Sequence, residues 1–183
     1  MKALKRHREH TLNGRPIVYF VAALHCGRVD LAISTQTGGY YDSVVAEQLG
    51  SEPWGVAGRI GHSILTNAQS LVQLEDADWI LGRNTELLDE AIEEAFAACE
   101  TSRPRPGVMT TSVLFVLTAL SQTDLLSILP RSVCESHPSL IWRDLSGGAW
   151  SSPVFLMRRR HSHLTLGARR LLEALQTTMH ELD

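Results

Sequence analysis

The chain has 183 residues, of which 44% are hydrophobic and 20% are charged. This composition is typical of a globular protein and excludes a disordered or fibrous chain. A chain of this length forms one domain or two small lobes and buries roughly 70% of the surface that its unfolded state exposes. The 17 Lys and Arg residues and 20 Asp and Glu residues give a formal net charge of −3, which disfavours a domain that holds DNA mainly by neutralising phosphates.

Membrane segments and Cys frameworks are also disfavoured. No window reaches the ~18 apolar residues that a membrane-spanning helix needs, and no apolar stretch of signal-peptide length follows the charged amino terminus. Cys26, Cys99 and Cys134 form no Cys-x-x-Cys pair, so their spacing predicts neither a disulfide framework nor a zinc site. We therefore expect a cytoplasmic protein without a membrane segment.

The first predicted elements are a short helix over residues 18–25 and a buried strand over residues 29–34. Gly27 is expected to end the helix, because glycine adopts the left-handed conformation that closes helices. Two extended segments follow, over residues 44–49 and 55–59, and a Ser-Glu-Pro turn separates them.

The clearest helical pattern spans residues 85–99. Its apolar residues recur at helical spacing, and acidic residues surround the remaining face. The apolar positions are Leu88, Ile92, Ala95, Phe96 and Cys99. A short helix over residues 70–74, with Ser70 as its cap, and a strand over residues 79–81 come before it.

The second half of the chain continues the alternation. Its predicted elements are strands over residues 108–111, 125–129, 140–145 and 154–158 and helices over residues 112–121 and 165–181. Pro130 occupies the first position of a further short helix, where proline is tolerated. Alternating strands and helices indicate an α/β fold with largely parallel strands covered by helices.

Three segments carry a resemblance to a known family. Residues 123–133 read Thr-Asp-Leu-Leu-Ser-Ile-Leu-Pro-Arg-Ser-Val, a buried-strand pattern that leads directly into a Pro-Arg-Ser helix start. Residues 27–35 read Gly-Arg-Val-Asp-Leu-Ala-Ile-Ser-Thr, and residues 156–172 form a strand, a turn and the start of the last helix. In this order and at these distances, the segments resemble the effector-binding domain of a LysR-type transcriptional regulator.

The resemblance implies a two-lobed α/β fold of the periplasmic-binding-protein-like type 2, with mostly parallel sheets. Lobe I would hold about residues 14–56 and 153–183, and lobe II about residues 58–149. The first lobe is expected to be incomplete, because the chain starts near the second strand of the family and residues 1–13 fit the family poorly. The winged helix-turn-helix domain of the family is expected to be absent, so that DNA would be bound only through that missing domain.

The resemblance places effector contacts in loops after the strands, where open α/β sheets bind ligands. Gly82, Arg83, Asn84 and Thr85 join a predicted strand to the helix over residues 85–99, whose amino terminus favours an anion. Arg83 adds a bidentate donor for a carboxylate or sulfonate. Alternatively, Asn84 or Thr85 only caps the helix and Arg83 is solvated.

Two further strand ends are candidate effector contacts. Thr111 and Ser112 form the matching strand-to-helix turn, although helix capping explains Ser112 equally well. Ser34 and Thr35 end the first predicted strand and face the effector in the arrangement that the resemblance implies. His62 resembles a family position that is more often structural than a ligand.

Catalytic and metal motifs are absent from the sequence. It contains no Gly-x-Ser-x-Gly, dinucleotide-binding, P-loop or His-Glu-x-x-His pattern. Asp30 and Asp124 stand at strand starts, where we expect them to accept hydrogen bonds from local backbone donors, and the basic run at residues 158–161 is expected to be solvated. His161 and His163 have no acidic or Cys partner at a ligand spacing. We expect no catalytic residue, no metal and no cofactor.

These observations favour a domain that senses a small organic effector, either an anionic acid or a sugar-like metabolite. Family domains pair side by side, so we expect a homodimer or tetramer, with the helix over residues 85–99 as a candidate interface element. An alternative is a truncated, non-sensing partner of intact regulators or a non-functional remnant. A small α/β enzyme is the third hypothesis.

Overall fold

The computed structural model describes residues 21–35, 42–82, 86–145, 150–161 and 163–182, with the side chains of residues 86–87 and 178–182 left aside. The chain divides into two compact units. Unit 1 consists of Met1–Gly50 and Pro153–Asp183, and unit 2 consists of Ser51–Ser152.

The described elements follow the alternation that the sequence predicts. In chain order they are α1 (described over residues 21–25), β1 (Leu31–Ser34), β2 (Val44–Arg59), a 3₁₀ helix (Leu71–Leu74), β3 (Ile80–Gly82), α2 (Glu86–Ala98), β4 (Val108–Thr110), α3 (Val113–Gln122), β5 (Ser127–Pro130), α4 (Arg131–Glu135), β6 (Leu140–Arg143), β7 (Trp150–Arg159) and α5 (Leu166–Leu182). No helix within these segments is long and apolar enough to cross a bilayer.

Strand pairing is mixed rather than mostly parallel. In unit 1, β1 pairs antiparallel with β7, with Leu31 opposite Arg158 and Ser34 opposite Phe155. In unit 2, β5 and β6 both pair antiparallel with the second half of β2, whereas β3 and β4 pair in parallel. The expectation of mostly parallel sheets is therefore wrong, because β1, β5 and β6 are all antiparallel to the strands with which they pair.

Strand β2 is a single strand of 16 residues, although the sequence predicts two segments. Proline fixes φ near −65°, a value that an extended chain accommodates, and it lacks only the N–H donor. Pro53 is exposed and lies one residue before Trp54, where the pairing with β5 begins. The missing donor therefore does not interrupt the pairing with β5.

The main core of unit 2 forms around α2. Its residues Leu88, Ile92, Ala95 and Phe96 are buried as their helical spacing predicts. The Phe96 ring meets Trp79 edge-on at a centroid distance of 6.2 Å and is stacked with Trp150 at 6.4 Å. Aromatic pairs in these geometries add to the stabilisation that burial provides, so α2 is held through its apolar face.

A second cluster of unit 2 packs α3 against β5 and α4. Val116, Leu117 and Leu120 of α3 are buried together with Leu129 and Cys134. Pro130 ends β5 and is the N-cap of α4, which begins at Arg131, one residue later than the sequence predicts.

Unit 1 confirms Gly27 as the end of the first helix. Gly27 has a φ of 72°, its N–H donates to Leu24 C=O at 3.0 Å, and Arg28 N–H donates to Ala23 C=O at 2.8 Å, the two bonds of a Schellman motif. Strand β1 is less buried than predicted, since only Ala32 is buried and Ile33 is 45% exposed. Its pairing to β7 and its packing of Ala32 on Leu24 and Met157 hold it in place.

Candidate functional site

Two parallel strands of unit 2 end side by side. Gly82 of β3 lies opposite Thr110 of β4, and each strand is followed by a helix, α2 from Glu86 and α3 from Val113. The carboxyl ends of parallel strands are where open α/β sheets bind ligands. Free N–H groups at the amino termini of helices add a preference for anions. This pair of strand ends is the candidate effector site of unit 2.

Ser112 is the N-cap of α3. Its Oγ accepts a hydrogen bond from Phe115 N–H at 3.3 Å, and its own N–H donates to Thr110 Oγ1 at 3.1 Å. Capping of α3 by Ser112 is therefore confirmed, and it leaves the hydroxyl proton of Ser112 able to donate to a ligand. Thr111 lies beside it and is exposed.

Gly82 borders open space. A Cβ built on Gly82 meets no atom within 4 Å, so close packing of the protein is not the reason for glycine here. The neighbouring candidates Arg83, Asn84 and Thr85 lie outside the described residues. The structure thus brings Gly82, Thr111 and Ser112 to one sheet edge.

The other two candidate residues belong to unit 1. Ser34 is the last residue of β1 and lies opposite Phe155 of β7, and Thr35 follows it. Both residues are half-buried.

The two aspartates at strand starts form ion pairs with arginines. Asp124 Oδ1 accepts from Arg59 Nε at 2.6 Å. Asp30 Oδ1 lies 3.7 Å from Arg159 Nη2, and its Oδ2 accepts from Thr165 Oγ1 at 3.1 Å. Sequence alone gave no sign of these pairs, since the partners are far apart along the chain.

Two observations concern metal binding and nucleophilic side chains. No group of three His, Cys, Asp or Glu side chains that would hold a metal ion occurs within the described ranges. Burial, with Glu135 and Glu52 adding to it, raises the pKa of the Cys134 thiol from 9.0 to about 12. A thiol that stays protonated at neutral pH is a poor nucleophile.

The fold and this strand-end site define an α/β ligand-binding domain. The family model of the LysR substrate binding domain matches residues 5–180. The chain therefore belongs to this family of effector-binding domains, whose members are parts of transcriptional regulators and share the periplasmic-binding-protein-like type 2 fold. The matched range includes most of residues 1–13. The prediction that these residues fit the family poorly is therefore wrong. A search among curated proteins finds no match.

Solved structures agree with this fold. The regulatory domain of CcmR from Synechocystis PCC6803, in complex with 2-PG, is 15% identical with a TM-score of 0.67, and the match covers 91% of this chain and 80% of that one. The effector-binding domain of QuiR in complex with shikimate is 15% identical with a TM-score of 0.64, over 89% and 78% of the two chains.

A longer regulator is also similar. HinK, a LysR family transcriptional regulator from Pseudomonas aeruginosa, is 21% identical with a TM-score of 0.70, and the match covers 91% of this chain. The chain spans only 58% of HinK. At these identities the likeness concerns the fold.

Proposed function

We propose that this chain is the sensing part of a LysR-type regulator and that a small anionic or polar metabolite binds where β3 and β4 end. The observation that carries the proposal is the alignment of Gly82 with Thr110 at two neighbouring strand ends. The contacts proposed for an effector are Gly82, Arg83, Asn84, Thr85, Thr111 and Ser112 in unit 2, and the candidate contacts in unit 1 are Ser34 and Thr35.

The chemistry of this edge favours an acid group. The free N–H groups of the first turn of α3 and the positive end of its dipole attract negative charge, and Thr111 and Ser112 offer hydroxyl donors. Arg83 would supply a bidentate donor to a carboxylate or sulfonate. Two similar domains were solved with small molecules, 2-PG and shikimate, which supports an effector of this size.

Sensing requires that the effector prefer one arrangement of the regulator over another, because a ligand shifts an equilibrium only by its difference in affinity for the two states. We propose that the whole regulator acts in the cytoplasm and reaches DNA through a domain outside this chain. The formal net charge of −3 supports that division of labour, since phosphate contacts require cationic surface. A regulator of this kind catalyses no reaction.

A homo-oligomer is the second part of the proposal. Five apolar residues at the edge formed by β4 and the start of α3 are exposed. We call them the α3 surface, and they are Val108, Met109, Val113, Leu114 and Phe115. This concentration of exposed apolar residues in one stretch of the chain makes it a candidate interaction site. The helix over residues 85–99, which the sequence suggests as an interface element, is a weaker candidate, because Ala95 on its apolar face is only 8% exposed.

Binding of an anionic effector at the amino terminus of α3 is tested by introducing a negative charge at the N-cap residue without removing the cap. Asp caps helices about as well as Ser, so Ser112→Asp preserves α3 but places a carboxylate where the anion binds. We expect a panel of small organic acids and neutral sugars to contain a compound that raises the Tm of the 183-residue chain. Calorimetry should then show at least tenfold weaker binding to Ser112→Asp.

The matched control is Ser70→Asp, which makes the same change at the N-cap of the 3₁₀ helix. It should bind the compound as the wild type does. Equal weakening in both variants would place the effector elsewhere, and a panel without any binder would favour the non-sensing alternative.

A further inference from the structure

A small surface cavity in unit 1 is separate from the strand ends of unit 2. Its volume is about 190 Å³, and it is lined by Ser43, Arg159, Arg160 and His161. A water molecule takes up about 30 Å³ in the liquid, so the cavity has room for a tetrahedral oxyanion and its immediate substituent. We call it the basic pocket.

The basic pocket forms where two turns meet. Arg159 ends β7, with Arg160 and His161 in the turn that follows, and Ser43 immediately precedes β2. Arg160 N–H donates to Ser43 C=O at 2.7 Å, which joins the two turns by their backbones. The two backbone segments that carry the lining side chains are therefore held together within unit 1.

Arg159 is held in place by the protein. Its Nη1 donates to Leu24 C=O at 3.0 Å, and its Nη2 lies 3.7 Å from Asp30 Oδ1. Gly27 makes room for it, because a Cβ on Gly27 would lie 2.8 Å from Arg159 Nη1. An arginine that is already ordered loses little side-chain entropy when it binds a ligand.

Arg160 contributes a second positive charge. Its Nε donates to Asp42 C=O at 3.2 Å, and it forms no ion pair with a carboxylate among the described residues. Ser43 Oγ lies 2.8 Å from His25 Nδ1, so a hydroxyl and a second imidazole adjoin the cavity. Two arginines therefore line the pocket, and one of them, Arg159, is paired with Asp30.

We propose that the basic pocket binds a phosphate group. Planar guanidinium groups match the oxygen spacing of phosphate and hold it by two parallel hydrogen bonds, and the hydroxyl of Ser43 supplies a further donor. The phosphate belongs either to a small phosphorylated metabolite or to the backbone of a nucleic acid, since both present the same oxygens. The size of the pocket favours the small molecule.

The test measures binding of inorganic phosphate, glycerol phosphate and a DNA duplex of arbitrary sequence to the 183-residue chain at constant ionic strength. Arg160→Gln removes one lining charge at an exposed position. Arg170→Gln is the matched control, because it removes the same charge from an exposed position of α5 in the same unit, outside the residues that line the pocket. We expect saturable phosphate binding that Arg160→Gln weakens at least fivefold and Arg170→Gln less than twofold.

Binding of phosphate should persist in Ser112→Asp, because that residue lies in unit 2. The proposal is overturned if both arginine variants weaken binding equally, or if phosphate binds no better than chloride. Duplex binding that depends on Arg160, without saturable binding of either small phosphate, would overturn the small-molecule source and assign the pocket to nucleic acid.

Discussion

His62 Nε2 donates a hydrogen bond to the carbonyl of Asp124 at 2.9 Å. Its Nδ1 accepts from the N–H groups of Ile64 at 3.2 Å and Leu65 at 3.1 Å. Because the N–H groups of Ile64 and Leu65 both donate to Nδ1, these hydrogen bonds assign the ring proton to Nε2. The side chain is 1% exposed. His62 thus ties the turn after β2 to the residues that lead into β5.

Replacement of His62 by Ala is expected to lower the free energy of unfolding by about 2–4 kcal/mol, since it leaves two N–H groups and one carbonyl without partners and opens a cavity. Urea titration followed by tryptophan fluorescence measures the loss. His163→Ala is the control, because His163 is exposed, and it should change stability by less than about 0.5 kcal/mol. A small loss for His62→Ala would show that water replaces the ring.

The ion pair between Arg59 and Asp124 lies beside this histidine but should contribute little. The side chains are 35% and 58% exposed, and exposed ion pairs typically contribute about 0.2–1 kcal/mol. We expect a double-mutant cycle with Arg59→Gln and Asp124→Asn to give a coupling energy in that range at low salt and less in 1 M NaCl. A coupling above about 2 kcal/mol would mean that the pair is shielded from solvent.

The sequence predicts an element correctly where the element depends on local residue spacing or on a single side chain. The α2 helix and the Ser112 cap depend on spacing and on one side chain, which the sequence contains. The continuity of β2 depends on which strands pair with it, and a proline such as Pro53 looks the same in a turn and in a strand. The exposure of Ile33 likewise depends on what covers β1, which no local pattern encodes.

The candidate sites divide in the same way. Glycine and hydroxyl residues between a strand and a helix pointed to Gly82 and Ser112, because strand ends and helix starts are recognisable in sequence. The sequence did not predict the basic pocket, because Ser43 and Arg160 are far apart along the chain and are brought together only by contact between two turns. The basic run at residues 158–161 was the visible sign of it in the sequence.

Stability should fall at alkaline pH in a way that depends on Cys134. The folded state raises the pKa of this thiol from 9.0 to about 12, so between these values the folded chain keeps a proton that the unfolded chain releases. The contribution of this thiol to the free energy of unfolding is therefore retained well below pH 9 and is lost progressively as the pH rises towards 12.

Between pH 8 and pH 10 we expect this thiol to account for a loss of about 1 kcal/mol. The loss is read as the difference in pH dependence between wild type and Cys134→Ala, each unfolded with urea at both pH values. Exposed Cys26 should react with iodoacetamide in the folded chain, whereas Cys134 should react only after unfolding. Parallel pH profiles for the two proteins would contradict the raised pKa.

Association through the α3 surface is tested by Leu114→Glu. Leu114 is 76% exposed, so the change does not disturb the core, and an acidic residue in the first turn of a helix is favourable. The folding stability of this variant should therefore match the wild type. If the α3 surface pairs two copies, sedimentation should show a dimer for the wild type and a monomer for the variant.

The control for this experiment is Ile60→Glu, which adds the same charge at an exposed apolar residue outside the α3 surface. It should sediment as the wild type does. Burial of apolar surface between two copies drives their association. A carboxylate in the middle of such an interface would lose its hydration without gaining a hydrogen-bond partner, which disfavours the dimer. An unchanged dimer in Leu114→Glu, with its stability intact, would therefore show that the copies meet on another face.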